Sequence, residues 1–311
     1  MKATAFAPVN VALIKYWGKG DEKLRLPANS SLSVNLTKMG TVTTVEWVKG
    51  LKQDGADERM IRHLDRIRGL AQINLRAKVV TENNFPAGAG LSSSASGLAA
   101  LTLAATAAIG LKLSKKDLSR LARLGSGSAC RSIPNGWVEW QKGSDDKNSY
   151  AQTIFPVKHW DLRILAVILS QQEKKVSSTD GQALAKTSPF FKERIKGIDK
   201  KIINIKQAIK EKNFKKTGEI IEEDCLNMHA VMLTSQPSLM YWLPETVRVM
   251  QAVQAWREDG LESYFTINTG QNVFVFCEPK NEDKLVDELS HLRGVIEVRR
   301  EKVGLGARLL A

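Results

Sequence analysis

Cysteine and histidine are scarce in this sequence, which argues against several kinds of site. The three cysteines, Cys130, Cys225 and Cys277, lie far apart and form no CxxC pair, and the four histidines are scattered. This spacing argues against both a disulfide framework and a zinc site. Cys130 stands beside Arg131, but no histidine lies near it in the sequence to act as a base, so a thiolate nucleophile is disfavoured.

Long apolar runs are also missing. The longest candidate, residues 98–111, is rich in alanine and threonine and falls short of the roughly 20 residues that cross a bilayer, so we expect a buried core helix and no membrane partner. Near the N-terminus, Pro8 and Asn10 stand where a signal peptide has its apolar core. We therefore expect a cytoplasmic protein without a targeting segment.

Basic charge is abundant. The 311 residues carry a net charge of +13, which suits either nucleic acid or a small polyanionic substrate drawn into a basic cleft. Much of the excess lies in residues 191–216, where isoleucines recur near helical spacing and predict one amphipathic helix with a lysine-rich solvated face. Its only aromatic residues, Phe191 and Phe214, lie near the two ends. We therefore expect no nucleic-acid partner.

Patterns of apolar residues and turn residues predict the main elements, and the length of the chain predicts two domains. Alternation at residues 31–36 and 40–48 indicates paired strands, and an alanine-rich helix follows Ser92, Ser93 and Ser94, whose hydroxyls are predicted caps. The other predictions are a helix at 57–70, a strand at 72–81, a helix starting at 113–121 behind Ser114, a short helix within 125–136, a buried strand at 160–169, a helix-rich stretch to about residue 259, a strand–turn–strand at 262–277, a helix at 281–292 capped by Asn281, and a closing strand at 295–299.

The segment NNFPAGAGLSSS carries the strongest chemical signal. A strand that ends in small residues and turns into a helix exposes free N–H groups at the positive end of the helix dipole, which is an anion site. Gly88 and Gly90 allow close backbone approach, and the serines add hydroxyl groups. No Gly-Lys-Ser/Thr appears, and the last glycine of the dinucleotide fingerprint is missing. The alternative is a tight turn that caps a core helix.

Three further segments have similar chemistry. GSGSACRS places four small residues before Arg131, whose guanidinium can fork to a carboxylate or phosphate. KKVSSTDG puts lysines before hydroxyl residues, although an ordinary helix cap explains it equally. In ALIKYWGKG, the lysines beside aromatic residues fit either a snorkelling edge or contacts with an anionic ligand. Together the segments predict that two phosphorylated ligands meet in one cleft.

These segments, with VEW and FKERI, occur in an order and form that resemble the diphosphomevalonate decarboxylases, of the galactokinase, homoserine kinase, mevalonate kinase and phosphomevalonate kinase superfamily. The resemblance covers residues 7 to about 275. YWGK with SGSACRS is specific to the decarboxylases, whereas the serine-rich turn marks only the superfamily.

The resemblance implies an α+β, two-lobed, small-molecule kinase-like fold. Residues 1–170 would form an ATP-binding domain resembling ribosomal protein S5 domain 2, and residues 171–311 an α/β sandwich domain, with the active-site cleft between them. It implies ATP and Mg²⁺ as cofactors, a small-molecule substrate and a homodimer. The implied reaction phosphorylates the 3-hydroxyl of mevalonate 5-diphosphate, after which phosphate and CO₂ leave and isopentenyl diphosphate forms, in isoprenoid biosynthesis by the mevalonate pathway.

Site residues follow from the same resemblance, while the metal ligands stay unassigned. The reacting end would be formed by Asn10, Lys15, Arg131 and Asn268. The ATP phosphates would contact Gly88, Ala89, Gly90, Leu91, Ser92, Ser93 and Ser94. Mevalonate diphosphate would be bound by Tyr16, Trp17, Gly18, Lys19, Arg59, Ser126, Gly127, Ser128, Ala129, Cys130, Arg131, Ser177 and Thr179.

One position departs from the family. Relatives usually have Asp-Ala-Gly-Pro-Asn where this chain has Asn268-Thr269-Gly270-Gln271-Asn272. The aspartate of that motif is the carboxylate assigned to the 3-hydroxyl, and an amide cannot take a proton although its oxygen can accept a hydrogen bond. Four outcomes stay open: an active decarboxylase in which Asn268 orients the hydroxyl, a decarboxylase of the 5-monophosphate, a 3-kinase without elimination, and an inactive anion-binding paralogue.

Overall fold

Two β-sheets organise the protein in the computed structural model, which describes residues 1–50 and 55–311. The strands are β1 (Lys2–Ile14), β2 (Lys19–Asp21), β3 (Leu26–Pro27), β4 (Ser31–Val48), β5 (Arg76–Asn83), β6 (Trp137–Trp140), β7 (Ala151–Phe155), β8 (Arg163–Ile168), β9 (Ser263–Thr266), β10 (Val273–Cys277), β11 (Glu297–Lys302) and β12 (Arg308–Leu310). The helices are α1 (Glu58–Ala71), α2 (Ser93–Ala108), α3 (Lys115–Gly125), α4 (Ser178–Ala183), α5 (Phe191–Lys210), α6 (Phe214–Leu233), α7 (Pro244–Glu258) and α8 (Glu282–His291).

The first sheet has the order β12-β1-β4-β6-β7, with β5 also paired to β4, and the second has the order β11-β8-β10-β9. All pairings are antiparallel, and β2 and β3 form a separate hairpin. Helices α1, α2 and α3 cover one face of the first sheet. This arrangement confirms the predicted α+β class. Within the described residues, no helix has the length and apolar character needed to cross a membrane.

The second sheet is buried on both faces. In β8, Ile164, Ala166 and Ile168 join the core that contains α5 and α6, whereas Leu165 and Val167 join the core under α7 and α8. Side chains of a strand alternate between its faces, so a strand buried on both sides has a continuous apolar sequence. The run RILAVI therefore gave a correct prediction of a buried strand.

A register shift in β1 changes which side of the strand Asn10 faces. Ala5 and Ala7 pack with α2, but Val11 and Leu13 pack in the opposite core. All four positions have odd numbers and would face the same side of a regular strand. The strand must therefore contain an extra residue, and its pairing with β4 shifts between Pro8 and Asn10. Such a bulge reorients side chains at functional sites. Here it directs the Asn10 amide toward Ser128 and Ser132.

Most predicted elements are confirmed, including α1 behind the cap Asp57 and α3 behind Ser114, whose side chains accept the N–H groups of Met60 and Asp117. The pairing predicted between residues 31–36 and 40–48 is wrong, because both belong to the single strand β4 and pair with β1. Strand β5 begins at Arg76, later than predicted, and the closing strand β11 is followed by an unpredicted strand, β12.

Three local predictions at helix ends are also wrong. Residues 191–216 form two helices, because Lys212 has a left-handed φ of 54° and Asn213 caps α6 by accepting the N–H of Lys216. Asn281 does not cap α8, since its amide donates to the Glu262 carbonyl. Ser92 makes no cap hydrogen bond to α2, because its hydroxyl bonds elsewhere in the site.

Candidate active site

A cavity of about 550 Å³ brings the predicted segments together. It is bounded by the turn before α2, the short 3₁₀ helix Gly127–Ser132 after α3, the N-terminal turn of α4 and the loop between β9 and β10. Basic side chains outnumber acidic ones on its wall, which favours anionic ligands. The cations are Lys15, Lys19, Arg25, Arg59, Arg131, Lys174 and Lys175, and the carboxylates are Asp57, Glu173 and Asp180.

The turn before α2 has the shape that its glycines predict. Gly88 and Gly90 have φ of 70° and 82°, and Ser92 has φ of 65°. A Cβ on Gly90 would lie 2.4 Å from the Cα of Gly270, so both positions require glycine for the two loops to touch. The Ser93 hydroxyl accepts the N–H of Gly88 at 3.2 Å. The serines therefore brace the turn, while the first N–H groups of α2 lie at the cavity.

Asn272 holds this turn from the other half of the chain. Its side chain donates to the carbonyls of Ala89 and Ser170 and accepts the N–H groups of Leu169 and Ser170, with distances of 2.7–3.1 Å. All four hydrogen-bonding positions of the buried amide are thus filled, which makes the brace rigid. Ala89 and Leu91 are buried and do not line the cavity with their side chains.

The second turn places Arg131 at the floor of the cavity. Gly127 packs against the Tyr16 ring, which a Cβ would approach to 3.0 Å. Arg131 is only 4% exposed. Its guanidinium donates to Asn10 Oδ1 from Nε and Nη2 and to Ser31 Oγ from Nη1, the last at 2.7 Å. These bonds use three of its five N–H groups, so one on each terminal nitrogen is left for a ligand.

Asn268 and Lys15 form the opposite side of the floor. Asn268 Oδ1 accepts Lys15 Nζ and the Ala12 N–H, each at 3.3 Å. Its Nδ2 donates to Ser92 Oγ at 3.0 Å and to the Asn10 carbonyl at 3.4 Å. The structure thus brings together the four residues predicted at the reacting end, Asn10, Lys15, Arg131 and Asn268.

Burial changes the acid–base behaviour of this floor. It lowers the pKa of Lys15 from its usual 10.5 to about 8, against the opposing effect of Cys225 and Asp224. It likewise lowers the pKa of Lys174 to about 8. Burial raises the pKa of the Cys130 thiol to about 12, so Cys130 stays a thiol, as the sequence indicated.

A buried ion pair that the sequence did not predict lies beneath the floor. Asp224 accepts the main-chain N–H of Lys15 at 2.7 Å, and Arg194 donates to both Asp224 oxygens and to the Lys15 carbonyl. The pair therefore fixes the backbone of Lys15 on both sides. Arg194 lies within FKERI on α5, a helix predicted from its lysines to have a solvated face, and no local pattern marks this one cation as buried.

Three further cations on the wall, Arg25, Lys174 and Lys175, were also missed as site residues. Arg25 follows the hairpin strand β2 with a left-handed φ of 50°. Lys174 donates to Ser178 Oγ and to both the carbonyl and hydroxyl oxygens of Thr269 at 2.5–3.2 Å, which joins the segment before α4 to the β9–β10 loop. The sequence did contain a signal for Lys174, which is the pair of lysines just before the serine-rich start of a helix.

Of the predicted substrate residues, most lie on the cavity wall and some lie behind it. Trp17 is in an apolar cluster with Phe191, and Gly18, with φ of 92°, packs against the same ring. Ala129 and Cys130 are buried behind Gly127. The side chains on the wall are Tyr16, Lys19, Arg59, Ser126, Ser128, Ser177 and Thr179, with Gly88, Gly90, Ser92, Ser93 and Ser94 from the first turn.

Models of two protein families match most of the chain. The diphosphomevalonate decarboxylase-like N-terminal domain matches residues 7–151, and the mevalonate 5-diphosphate decarboxylase C-terminal domain matches residues 164–303. The diphosphomevalonate decarboxylase of Candida albicans is 35% identical over an alignment of 318 positions, which covers 92% of this chain and 87% of that protein.

Solved structures resemble the protein over its whole length. One described as "MDDEF in complex with MVAPP, AMPPCP and Magnesium" superposes with a TM-score of 0.93 at 40% identity, covering 100% of this chain and 99% of that chain. A mevalonate diphosphate decarboxylase from Staphylococcus aureus superposes with a TM-score of 0.92 at 39% identity, covering 100% of this chain and 98% of that chain.

Proposed function

The chain belongs to the diphosphomevalonate decarboxylase family, and from this membership and the geometry of its cavity we propose how it works. It is an ATP-dependent carboxy-lyase that converts mevalonate 5-diphosphate and ATP into isopentenyl diphosphate, ADP, phosphate and CO₂. The observation that carries the assignment to this cavity is that the Gly88–Ser94 turn, the Ser126–Arg131 turn and the N-terminal turn of α4 all line it. Two anionic ligands can therefore meet there.

ATP is proposed to place its phosphates on the turn that contains Gly88 and Gly90. The free N–H groups of α2 and the hydroxyls of Ser92, Ser93 and Ser94 suit phosphate oxygens. Among residues 1–50 and 55–311, no cluster of three or more histidine, cysteine or acidic side chains exists. That absence fits Mg²⁺, which keeps several waters and is bound largely through nucleotide phosphates and one or two protein oxygens. When bound, Mg²⁺ neutralises phosphate charge; hydroxyls of the serine turn are the proposed protein contacts.

Mevalonate diphosphate is proposed to lie between the hairpin β2–β3, α1 and the start of α4. Lys19, Arg25 and Arg59 supply positive charge for its diphosphate, and Ser126, Gly127 and Ser128 with Ser177 and Thr179 supply N–H and hydroxyl groups. The two N–H groups left on Arg131 hold the carboxylate that becomes CO₂. Phosphoryl transfer depends mainly on such positioning and charge neutralisation.

A three-product assay tests this function. The protein is incubated with ATP, Mg²⁺ and either mevalonate 5-diphosphate or the 5-monophosphate, and ADP, phosphate and CO₂ are measured separately. We expect equal amounts of all three with the diphosphate. ADP alone would indicate a 3-kinase. Faster turnover of the monophosphate would make the 5-monophosphate the substrate. No product with either compound would indicate a protein that binds anions without catalysis. The relatives that this chain resembles are named for the diphosphate, so these alternatives are not favoured.

We propose two further features of the organisation. The first is the homodimer that the family implies, which sedimentation velocity tests. The second is a division of the chain near residue 170 into two domains, with the cavity between them. Strand β8, at Arg163–Ile168, lies in the second sheet, whereas the C-terminal strand Arg308–Leu310 returns to the first. Neither sheet is therefore built entirely from one side of that division.

A further inference from the structure

The amide of Asn268 is fully committed to hydrogen bonds at the floor of the cavity. Its oxygen accepts from Lys15 Nζ and the Ala12 N–H, and its nitrogen donates to Ser92 Oγ and the Asn10 carbonyl. A neutral amide nitrogen donates and does not take up a proton. The group that faces the cavity at this position is therefore an orienting group, and the proton of a reacting hydroxyl needs another acceptor.

Lys15 Nζ has the hydrogen-bond partners that suit a neutral amine. It donates to the Ala12 carbonyl at 2.7 Å and to Asn268 Oδ1 at 3.3 Å. A neutral amine has two hydrogens and one lone pair, so these two acceptors use both hydrogens. The fourth tetrahedral position of the nitrogen is left over, and Lys15 lines the cavity. Within the described chain, no carboxylate forms an ion pair with Nζ, because Asp224 binds the main-chain N–H of Lys15 instead.

Lys174 shows the opposite arrangement on the same cavity. Its Nζ has three acceptors, which are Ser178 Oγ and the carbonyl and hydroxyl oxygens of Thr269. Three acceptors use all three hydrogens of an ammonium group and leave no lone pair. Burial lowers the pKa of both lysines to about 8, but their partners differ: Lys174 Nζ has an acceptor for each of three hydrogens, and Lys15 Nζ has acceptors for only two.

The charges that face Lys15 do not hold its proton firmly. Asp224 on α6 is the acidic group there, and Arg194 on α5 already donates to both of its carboxylate oxygens. Arg131 from the 3₁₀ helix adds repulsion, and burial is the largest effect, so the pKa falls to about 8. The titratable and charged groups around Lys15 are Arg131, Arg194, Asp224, Cys225 and His229.

We propose that Lys15, as a neutral amine, is the general base of the phosphoryl-transfer step. This inference rests on the proposed function. The 3-hydroxyl of mevalonate diphosphate gives its proton to Nζ while its oxygen forms a bond to the γ-phosphorus of ATP. The bond from that phosphorus to the β,γ-bridging oxygen breaks, and ADP leaves with the electron pair. The resulting Lys15 ammonium gives its proton to water when products depart.

The pH dependence of ADP formation tests the proposal on the unmodified enzyme. Because the protonated lysine is inactive, kcat/KM should rise about tenfold per pH unit below about pH 8 and level off above it. A flat profile from about pH 6.5 to about pH 9 overturns the proposal and indicates that the loose transition state needs no base. Absence of ADP, phosphate and CO₂ at every pH would instead contradict the proposed function itself.

Two variants separate proton acceptance from simple positive charge. Lys15→Arg keeps the charge but cannot give up its proton, so kcat for ADP formation should fall about 10²–10⁴-fold while KM for the diphosphate changes less than about threefold. Adding Asn268→Asp to that variant supplies a carboxylate and should restore at least about tenfold in kcat. An arginine variant with more than about a tenth of the original kcat, at unchanged melting temperature, would remove Lys15 as the base.

Discussion

The floor of the cavity and its rim are held together in different ways. At the floor, Asn10, Arg131 and Asn268 come from distant parts of the chain and are fixed through side-chain hydrogen bonds to one another, to Lys15 or to nearby main-chain groups. At the rim, the Gly88–Ser94 turn depends on left-handed backbone conformations and on contact with Gly270. We therefore expect replacements at the floor to reduce turnover and replacements at the rim to weaken nucleotide binding.

Of the replacements that compare floor and rim here, that of Arg131 should have the largest effect on turnover, and it acts at the floor. Arg131→Gln removes the two N–H groups proposed to hold the substrate carboxylate, so we expect CO₂ release to fall about 10²–10³-fold or more. The melting temperature, followed in parallel, should fall only by a few degrees, because Asn10 and Ser31 lose a donor but the apolar cores are unchanged. Ser31→Ala, which removes only one partner of Arg131, is the matched control and should cost less than about tenfold. Undiminished CO₂ release in Arg131→Gln would exclude the residue from the mechanism.

Replacing Gly90 should affect the rim. Gly90→Ala forces a Cβ within 2.4 Å of the Gly270 Cα at a φ of 82°. We expect KM for ATP to rise at least about tenfold and the free energy of unfolding to fall by about 1–3 kcal/mol.

Gly69→Ala is the control for this change, because Gly69 lies in α1 with open space around it. It should leave KM for ATP unchanged and stabilise the protein by about 0.5–1 kcal/mol. If Gly90→Ala behaved like this control, the contact between the two loops would not matter for nucleotide binding.

Acid should lower the free energy of unfolding because of two buried histidines. Burial lowers the pKa of both His63 and His229 from 6.5 to about 3, and His229 donates to the carbonyl of Asn268. Between these pH values the unfolded chain binds protons that the folded protein does not, so stability falls as pH falls. Each histidine should cost about 1 kcal/mol at about pH 5.5 relative to neutral pH. Urea midpoints that are equal at about pH 7 and about pH 5.5 would contradict this.

The smallest effect is expected where rim and floor meet. The Thr269 hydroxyl hydrogen-bonds Ser178 Oγ at 2.6 Å and accepts from Lys174. Thr269→Ala removes these two bonds but leaves the Lys174 bonds to the Thr269 carbonyl and to Ser178. Turnover should therefore change less than about threefold, with a loss of about 0.5–1.5 kcal/mol in unfolding free energy. A loss of turnover comparable with Arg131→Gln would mean that this hydroxyl belongs to the chemistry.

The sequence predicted features that depend on local chemistry. The α1 and α3 starts follow from Asp57 and Ser114, and the turn with Gly88 and Gly90 follows from residues that tolerate positive φ. The buried state of Arg194 depends on Asp224, 30 residues later, so no local pattern indicates it. For the same reason the pairing of β12 with β1 was missed, because its partner lies at the opposite end of the chain.

Asn268 shows both what the sequence predicts and what only the structure reveals. Its place in a strand–turn–strand segment was predictable, and so was its inability to take a proton. Its contact with Lys15, and the contrast between Lys15 and Lys174, required the distances between side chains from separate parts of the chain.

A crystal structure with mevalonate 5-diphosphate and a non-hydrolysable ATP analogue would locate all of the proposed contacts at once. We expect the 3-hydroxyl oxygen within hydrogen-bond distance of Lys15 Nζ, the carboxylate on Arg131 and the γ-phosphate on the Gly88–Ser94 turn. A 3-hydroxyl far from Lys15, or a nucleotide bound outside this cavity, would contradict the proposed mechanism.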